Sequence, residues 1–151
     1  MRALVQLVKQ AKVEVGGNTI GEIPKGLLVL LGVTHEDNQS DIEWLVKKIT
    51  QLRIFKDEGG KMNLSIKDIG GDILIISQFT LFANCKKGNR PSYIRSAPPS
   101  VAIPLYEQFI TTLKGAFSGK VETGEFGAYM QVSLLNDGPV TILLDSKQPA
   151  F

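Results

Sequence analysis

A single mixed α/β domain is the fold class this sequence predicts, and three observations predict it. Two runs, Leu27–Val33 and Ile73–Ile76, are apolar throughout, the pattern of strands buried on both faces. Two segments, 41–53 and Pro98 to about Phe117, carry helical signals. Alternating or β-branched stretches dominate both ends of the chain. At 151 residues, 43% of them apolar and 21% charged, the chain is long enough for a sizeable core. Residues 1–151 are therefore read as one domain, with 145–151 as a C-terminal tail.

In chain order, residues 2–9 and 11–15 read as two short strands, and Gly16-Gly17-Asn18 as the turn after them. Thr19–Ile23 is a further strand, closed by Pro24-Lys25-Gly26, and Leu27–Val33 is a central one. After a polar loop, Ser40 is the expected N-cap, with Glu43 completing a capping box. Ile42, Leu45, Val46, Ile49 and Leu52 then recur at helical spacing. Residues 56–61 form a solvated loop before Met62–Ser65, and Gly70-Gly71 turns the chain into Ile73–Ile76. Pro104 either kinks the second helix or marks its first turn. Glu122–Leu135 reads as strand with bends at Gly124 and Gly127. Asn136-Asp137-Gly138-Pro139 separates it from a last strand, Val140–Leu144; Asp-Gly between two strands is a hairpin signal.

Composition narrows the chemistry. The net charge of +2 is too small to predict a polyanion partner from the global field. The single cysteine, Cys85, excludes an internal disulfide and fits a reducing cytoplasm. The opening residues carry no signal-peptide pattern, and no apolar stretch reaches the ~20 residues of a membrane helix. One histidine and one cysteine cannot supply the His/Cys sets that zinc prefers, so neither metal nor cofactor is expected. His35, in a polar loop, is expected to be solvent-exposed. Cys85, though near lysines, lacks a paired base and is expected to be inert.

The unusual stretch is Asp72–Arg95. Ser77, Gln78, Phe79 and Thr80 interrupt a buried strand with polar groups and a ring. In a regular strand Ser77 and Phe79 face one side, Gln78 and Thr80 the other, so one pocket can receive all four only if the strand bulges or ends. Backbone N–H groups released there would serve as an oxyanion hole; the plain alternative is hydrogen bonding to neighbouring strands. Lys86, Lys87, Arg90 and Arg95 follow, as a solvated cluster or as phosphate contacts.

Taken together, Ser77-Gln78-Phe79-Thr80-Leu81 and Asn136-Asp137-Gly138-Pro139-Val140-Thr141 resemble the two signature motifs of the D-aminoacyl-tRNA deacylase family. Further matches are Gly26–Val33, Arg53-Ile54-Phe55, Gly60-Lys61-Met62-Asn63, Lys87–Ser92, Leu105-Tyr106-Glu107, Phe126-Gly127-Ala128 and Met130-Gln131-Val132, so the resemblance runs to about Asp145. It implies α/β/β layers and a homodimeric cytoplasmic enzyme. That enzyme hydrolyses the ester between a D-amino acid, or misattached glycine, and tRNA. It implies that Ser77, Gln78, Phe79 and Thr80 form the catalytic strand end. Gly138 and Pro139, joined by a cis bond, enter the partner subunit's site and crowd out an L side chain. Phe126, Met130 and Asn136 are implied as pocket positions, and Lys86, Lys87, Arg90 and Arg95 as contacts to tRNA. The chain departs from the family at Leu7, where arginine is usual, at Tyr129, where aspartate is common, and at Tyr93, where phenylalanine is. An animal-type relative carries proline and alanine at the positions of Ser77 and Phe79, so the chain resembles the D-specific enzyme. The rival function is a non-catalytic RNA- or small-ligand-binding module on the same scaffold.

Overall fold

The computed structural model describes residues 1–149. Its elements are β1 (Arg2–Val15), β2 (Asn18–Ile23), β3 (Gly26–Gly32), α1 (Gln39–Gln51), β4 (Phe55–Lys56), β5 (Met62–Leu64), β6 (Asp72–Ser77), α2 (Pro99–Ala116), β7 (Val121–Thr123) and β8 (Met130–Asp145). The expected mixed α/β class holds: six strands form one sheet, and both main helices pack against it.

β1 is one strand of 14 residues, not two. The sequence breaks alternation at Leu7-Val8, both buried, and the strand keeps its pairing by slipping register against β8 on either side of Val8. Its first half pairs with β3 and its second with β2, while β8 runs along the opposite edge of both halves. β3 and β6 are parallel, joined by a crossover through α1; β6 and β7 are parallel through α2.

The all-apolar runs of β3 and β6 are explained by two cores. Leu27, Val29, Leu31, Ile73 and Ile75 meet Ile42, Leu45, Ile49, Phe109 and Leu113 of the helices. Leu28, Leu74 and Ile76, one residue out of phase, meet Val8, Ala11, Val13 and Ile23, where the sheet curls over its other face.

Helix α1 begins two residues before its expected start. Asn38, not Ser40, is the N-cap, and the box is closed by Asp41, not Glu43. The reason is local: extended Asn38 accepts from the Ser40 N–H at 2.9 Å, and Asp41 accepts from the Asn38 N–H at 2.9 Å. Pro104 is the sixth residue of α2, so it does not mark the first turn.

The Asn136–Pro139 segment is not a hairpin. Its flanks pair with the same strand, Met130–Leu135 with Gln10–Val15 and Thr141–Asp145 with Arg2–Gln6. Hairpin arms would pair with each other; here Asn136 keeps its pairing with Val8, and residues 137–140 bulge out of a continuous strand before Thr141. Asp145 ends β8 and binds Arg2 Nε at 2.8 Å, and Lys147 Nζ reaches Asp41 at 2.8 Å. The last two residues of the expected tail, 150 and 151, lie outside the described residues.

Candidate active site

Strand β6 stops at Ser77, which stands opposite Leu31 of β3. The Gln78 N–H makes a last bond to the Leu31 carbonyl at 2.8 Å, and Phe79–Phe82 then wind into a 3₁₀ turn. Gly32 allows this turn to close. A Cβ there would stand 3.0 Å from the Gln78 carbonyl oxygen and 3.2 Å from Leu81 Cβ. The turn begins where its first N–H groups have lost the strand partners that alternation would have offered. Among the described residues, the N–H groups of Phe79 and Thr80 find no acceptor.

Beside the turn lies a cleft of about 690 Å³. Its floor is apolar, with Leu31, Ile76, Met130 and Val132; Ser77, Gln78 and Ser96 supply side-chain polarity. Met130 continues the smaller core and Phe126 leans on the larger one. The Phe126 ring lies 5.6 Å from that of Tyr106, whose hydroxyl donates to the Ile75 carbonyl at 3.3 Å. Burial pushes the Tyr106 phenol up to about 12, so it remains a neutral donor. The Phe126 wall is thereby tied to β6.

Of the residues singled out in the sequence, Ser77, Gln78, Phe79, Phe126 and Met130 meet on this cleft. Thr80 does not line it. Its hydroxyl is turned back to accept from Gln78 Nε2, a group that cannot take a proton. Asn136 does not line the cleft; its amide donates to the carbonyls of Leu7 at 2.9 Å and Val140 at 3.0 Å. It braces the bulge that carries Gly138 and Pro139, whose peptide bond is cis. That bulge lines a second cavity, of about 360 Å³, with Leu7, Lys25, Phe55, Lys56 and Val140. Buried Leu7 supports it with its carbonyl, and its side chain lines the cavity.

The two halves of the signature stand at opposite ends of the sheet. The bulge abuts Val8, which pairs with Gly26 and through it with Asp72, the first residue of β6. Ser77 is the last. That separation is about 17 Å along the strands, with three inter-strand spacings of about 4.8 Å across.

Lys86, Lys87, Arg90 and Arg95 are exposed, and none is ion-paired among the described residues. The first three ride an excursion closed by the Asn84–Ser92 bridge, which returns to the cleft at Tyr93. His35 is exposed, as its loop position suggests, and its Nε2 lies 2.9 Å from the Ile94 carbonyl. One participant was not singled out from the sequence. Ser96 lines the cleft and its hydroxyl donates to the Phe79 carbonyl at 2.8 Å. Gly127, with φ +79°, turns the chain into the rim at Ala128 and Tyr129.

The chain is 64% identical over 148 residues to the D-aminoacyl-tRNA deacylase of Thermosipho africanus, covering 98% of this chain and 99% of that one. It is 58% identical over 147 residues to the enzyme of the same name from Cytophaga hutchinsonii, covering 97% and 98%. A solved structure titled c-Myc DNA Unwinding Element Binding Protein superposes with a TM-score of 0.91 at 44% identity, covering 96% and 98% of the two chains. A probable eukaryotic D-amino acid tRNA deacylase shares the fold, with a TM-score of 0.78 at 17% identity over 95% and 97%. The family model for D-Tyr-tRNA(Tyr) deacylase matches residues 4–145, both signature segments included, and the chain belongs to that family.

Proposed function

We propose that the protein hydrolyses the ester linking a D-amino acid, or misattached glycine, to the 3′ end of tRNA in the cytoplasm. The observation that carries this is the free N–H of Phe79, which lines a cleft with an apolar floor, with the free N–H of Thr80 next to it in the turn. An ester carbonyl set against these donors would have its developing negative charge stabilised, and one such donor can be worth ~100-fold or more in rate.

Thr80 is a poor nucleophile here, because its hydroxyl accepts from an amide and faces no base that would activate it. Positioning is the better route. The cleft holds the aminoacyl ester, the neighbouring ribose 2′-hydroxyl assists water, and the two N–H groups bind the oxyanion. Ser77 and Gln78 orient the substrate's amino end, Phe126 and Met130 bound its side chain, and Lys86, Lys87, Arg90 and Arg95 hold backbone phosphates.

The chirality filter needs a second copy of the chain. Gly138 and Pro139 cannot reach the cleft of their own protomer, since they stand at the far end of the sheet. In a homodimer this bulge would enter the partner's cleft, where main chain near the α-carbon blocks an L side chain by collision and leaves a D side chain or hydrogen free. Glycine suits that close approach.

The test is incubation with D-tyrosyl-tRNA and L-tyrosyl-tRNA, following precipitable aminoacyl-tRNA. Release of the D form alone supports the enzyme. Release of neither, with retained tRNA binding, would return the chain to the binding-module reading.

A further inference from the structure

We propose that Tyr129 is a stacking platform for an unpaired base of the tRNA 3′ end. The inference rests on the deacylase reading for its substrate, and its own basis is the rim of the cleft. Tyr129 is 90% exposed, the most exposed of the large apolar or aromatic side chains, yet it lines the cleft. Solvated aromatic surface of that size contributes nothing to folding.

Its position is set by its neighbours. The turn before it is held by the Ala128 N–H on the Glu125 carbonyl at 3.2 Å and by Gly127 at positive φ. Met130, after it, points into the core under the sheet. The ring is thus fixed at its base and projects from the end of β8.

The other aromatic groups of this rim are Phe79, 56% exposed, and Tyr93, 40% exposed. Those two satisfy each other edge to face at 5.0 Å. Tyr129 packs on no ring among the described residues, so both its faces are open.

The occupant follows from the order of groups. Amino-acid side chain and ester belong against the apolar floor and the Phe79–Thr80 turn. The nucleotide that carries the ester must therefore leave through the mouth, where Tyr129 stands. Every base offers a π-face, and a flat ring held at one end stacks on it at small entropic cost. A carboxylate at this position could not do this and would repel the adjoining phosphate.

The test uses the full-length protein with Tyr129→Ala, Tyr129→Asp and Tyr129→Phe. Three readings are made: hydrolysis of D-tyrosyl-tRNA, hydrolysis of D-tyrosyl-adenosine, and binding of a labelled oligoribonucleotide ending in CCA. The alanine and aspartate variants should raise KM and the oligonucleotide Kd about 5- to 20-fold, with kcat within about twofold and the phenylalanine variant like wild type. A KM effect that persists with D-tyrosyl-adenosine identifies the terminal adenine; one seen with tRNA alone identifies a base upstream.

Unchanged KM and Kd in Tyr129→Ala would overturn the proposal. So would sedimentation showing that the variant's losses track separation of a dimer. Failure of the wild type to hydrolyse either ester would sink the deacylase reading instead, and the oligonucleotide arm would still judge the stacking.

Discussion

Replacing Asn136 with alanine separates the structural part of the bulge from its proposed role in selection. The side-chain amide donates to the Leu7 carbonyl at 2.9 Å and the Val140 carbonyl at 3.0 Å, so one group ties β1 to the far side of the Gly138–Pro139 bulge. Each bond contributes about 1 kcal/mol net, and Leu7 is buried, so its freed carbonyl regains little water. The expected loss is therefore about 2 kcal/mol, or a fall of about 4–8 °C in melting temperature for a chain of this size. Asp137 stays weakly tethered, because its 3.9 Å pair with Lys9 is exposed. The loosened bulge should then admit L substrates. The assay is thermal unfolding alongside D- and L-tyrosyl-tRNA hydrolysis, with the D/L preference expected to fall of order tenfold, about 1.4 kcal/mol. Wild-type melting would refute the accounting of the two bonds. A lowered melting temperature with intact D/L preference would refute the bulge as the filter.

Thr80→Ala should keep substantial turnover, within about tenfold of wild type, because positioning and the two N–H groups carry the rate; complete loss in a folded variant would favour covalent attack. Neutralising Lys86, Lys87, Arg90 and Arg95 together should flatten the salt dependence of tRNA binding by up to about three units of slope, and an unchanged slope would leave these as solvated charges. Gly26→Ala should abolish folding, since its Cβ would stand 1.8 Å from the Asp72 carbonyl oxygen, backbone against backbone; a soluble variant with native melting would contradict the close pairing of β3 and β6. In acid, burial works against the charge of Asp41, but hydrogen bonds from Lys147, Ser146 and the Asn38 N–H outweigh it and hold its carboxyl below its ordinary 3.8. A depressed folded value means stability that is present above 3.8 and lost as pH falls through the lower value. Asp41→Asn should therefore weaken the protein at neutral pH and reduce the loss below about pH 4, read from melts across pH.

Residue order alone determined the mixed α/β class, the buried strands β3 and β6, the amphipathic α1 and the break after Ile76, because burial writes a period into a sequence and a polar residue in an apolar run interrupts it. It also determined the family, through two motifs far apart in the chain. Only the tertiary structure decided what those breaks become. Whether Asn136–Pro139 closes a hairpin or bulges from a continuous strand depends on which partner its flanks find, and β1 pairs with both. Whether Asn38 or Ser40 caps α1 depends on which backbone turns extended before the helix. Ser96 reaches the Phe79 carbonyl from 17 residues away, a contact that no local pattern encodes. The separation of Ser77–Thr80 from Gly138–Pro139 is likewise a property of strand order across the sheet, and it makes a second chain necessary if the two motifs are to act on one substrate.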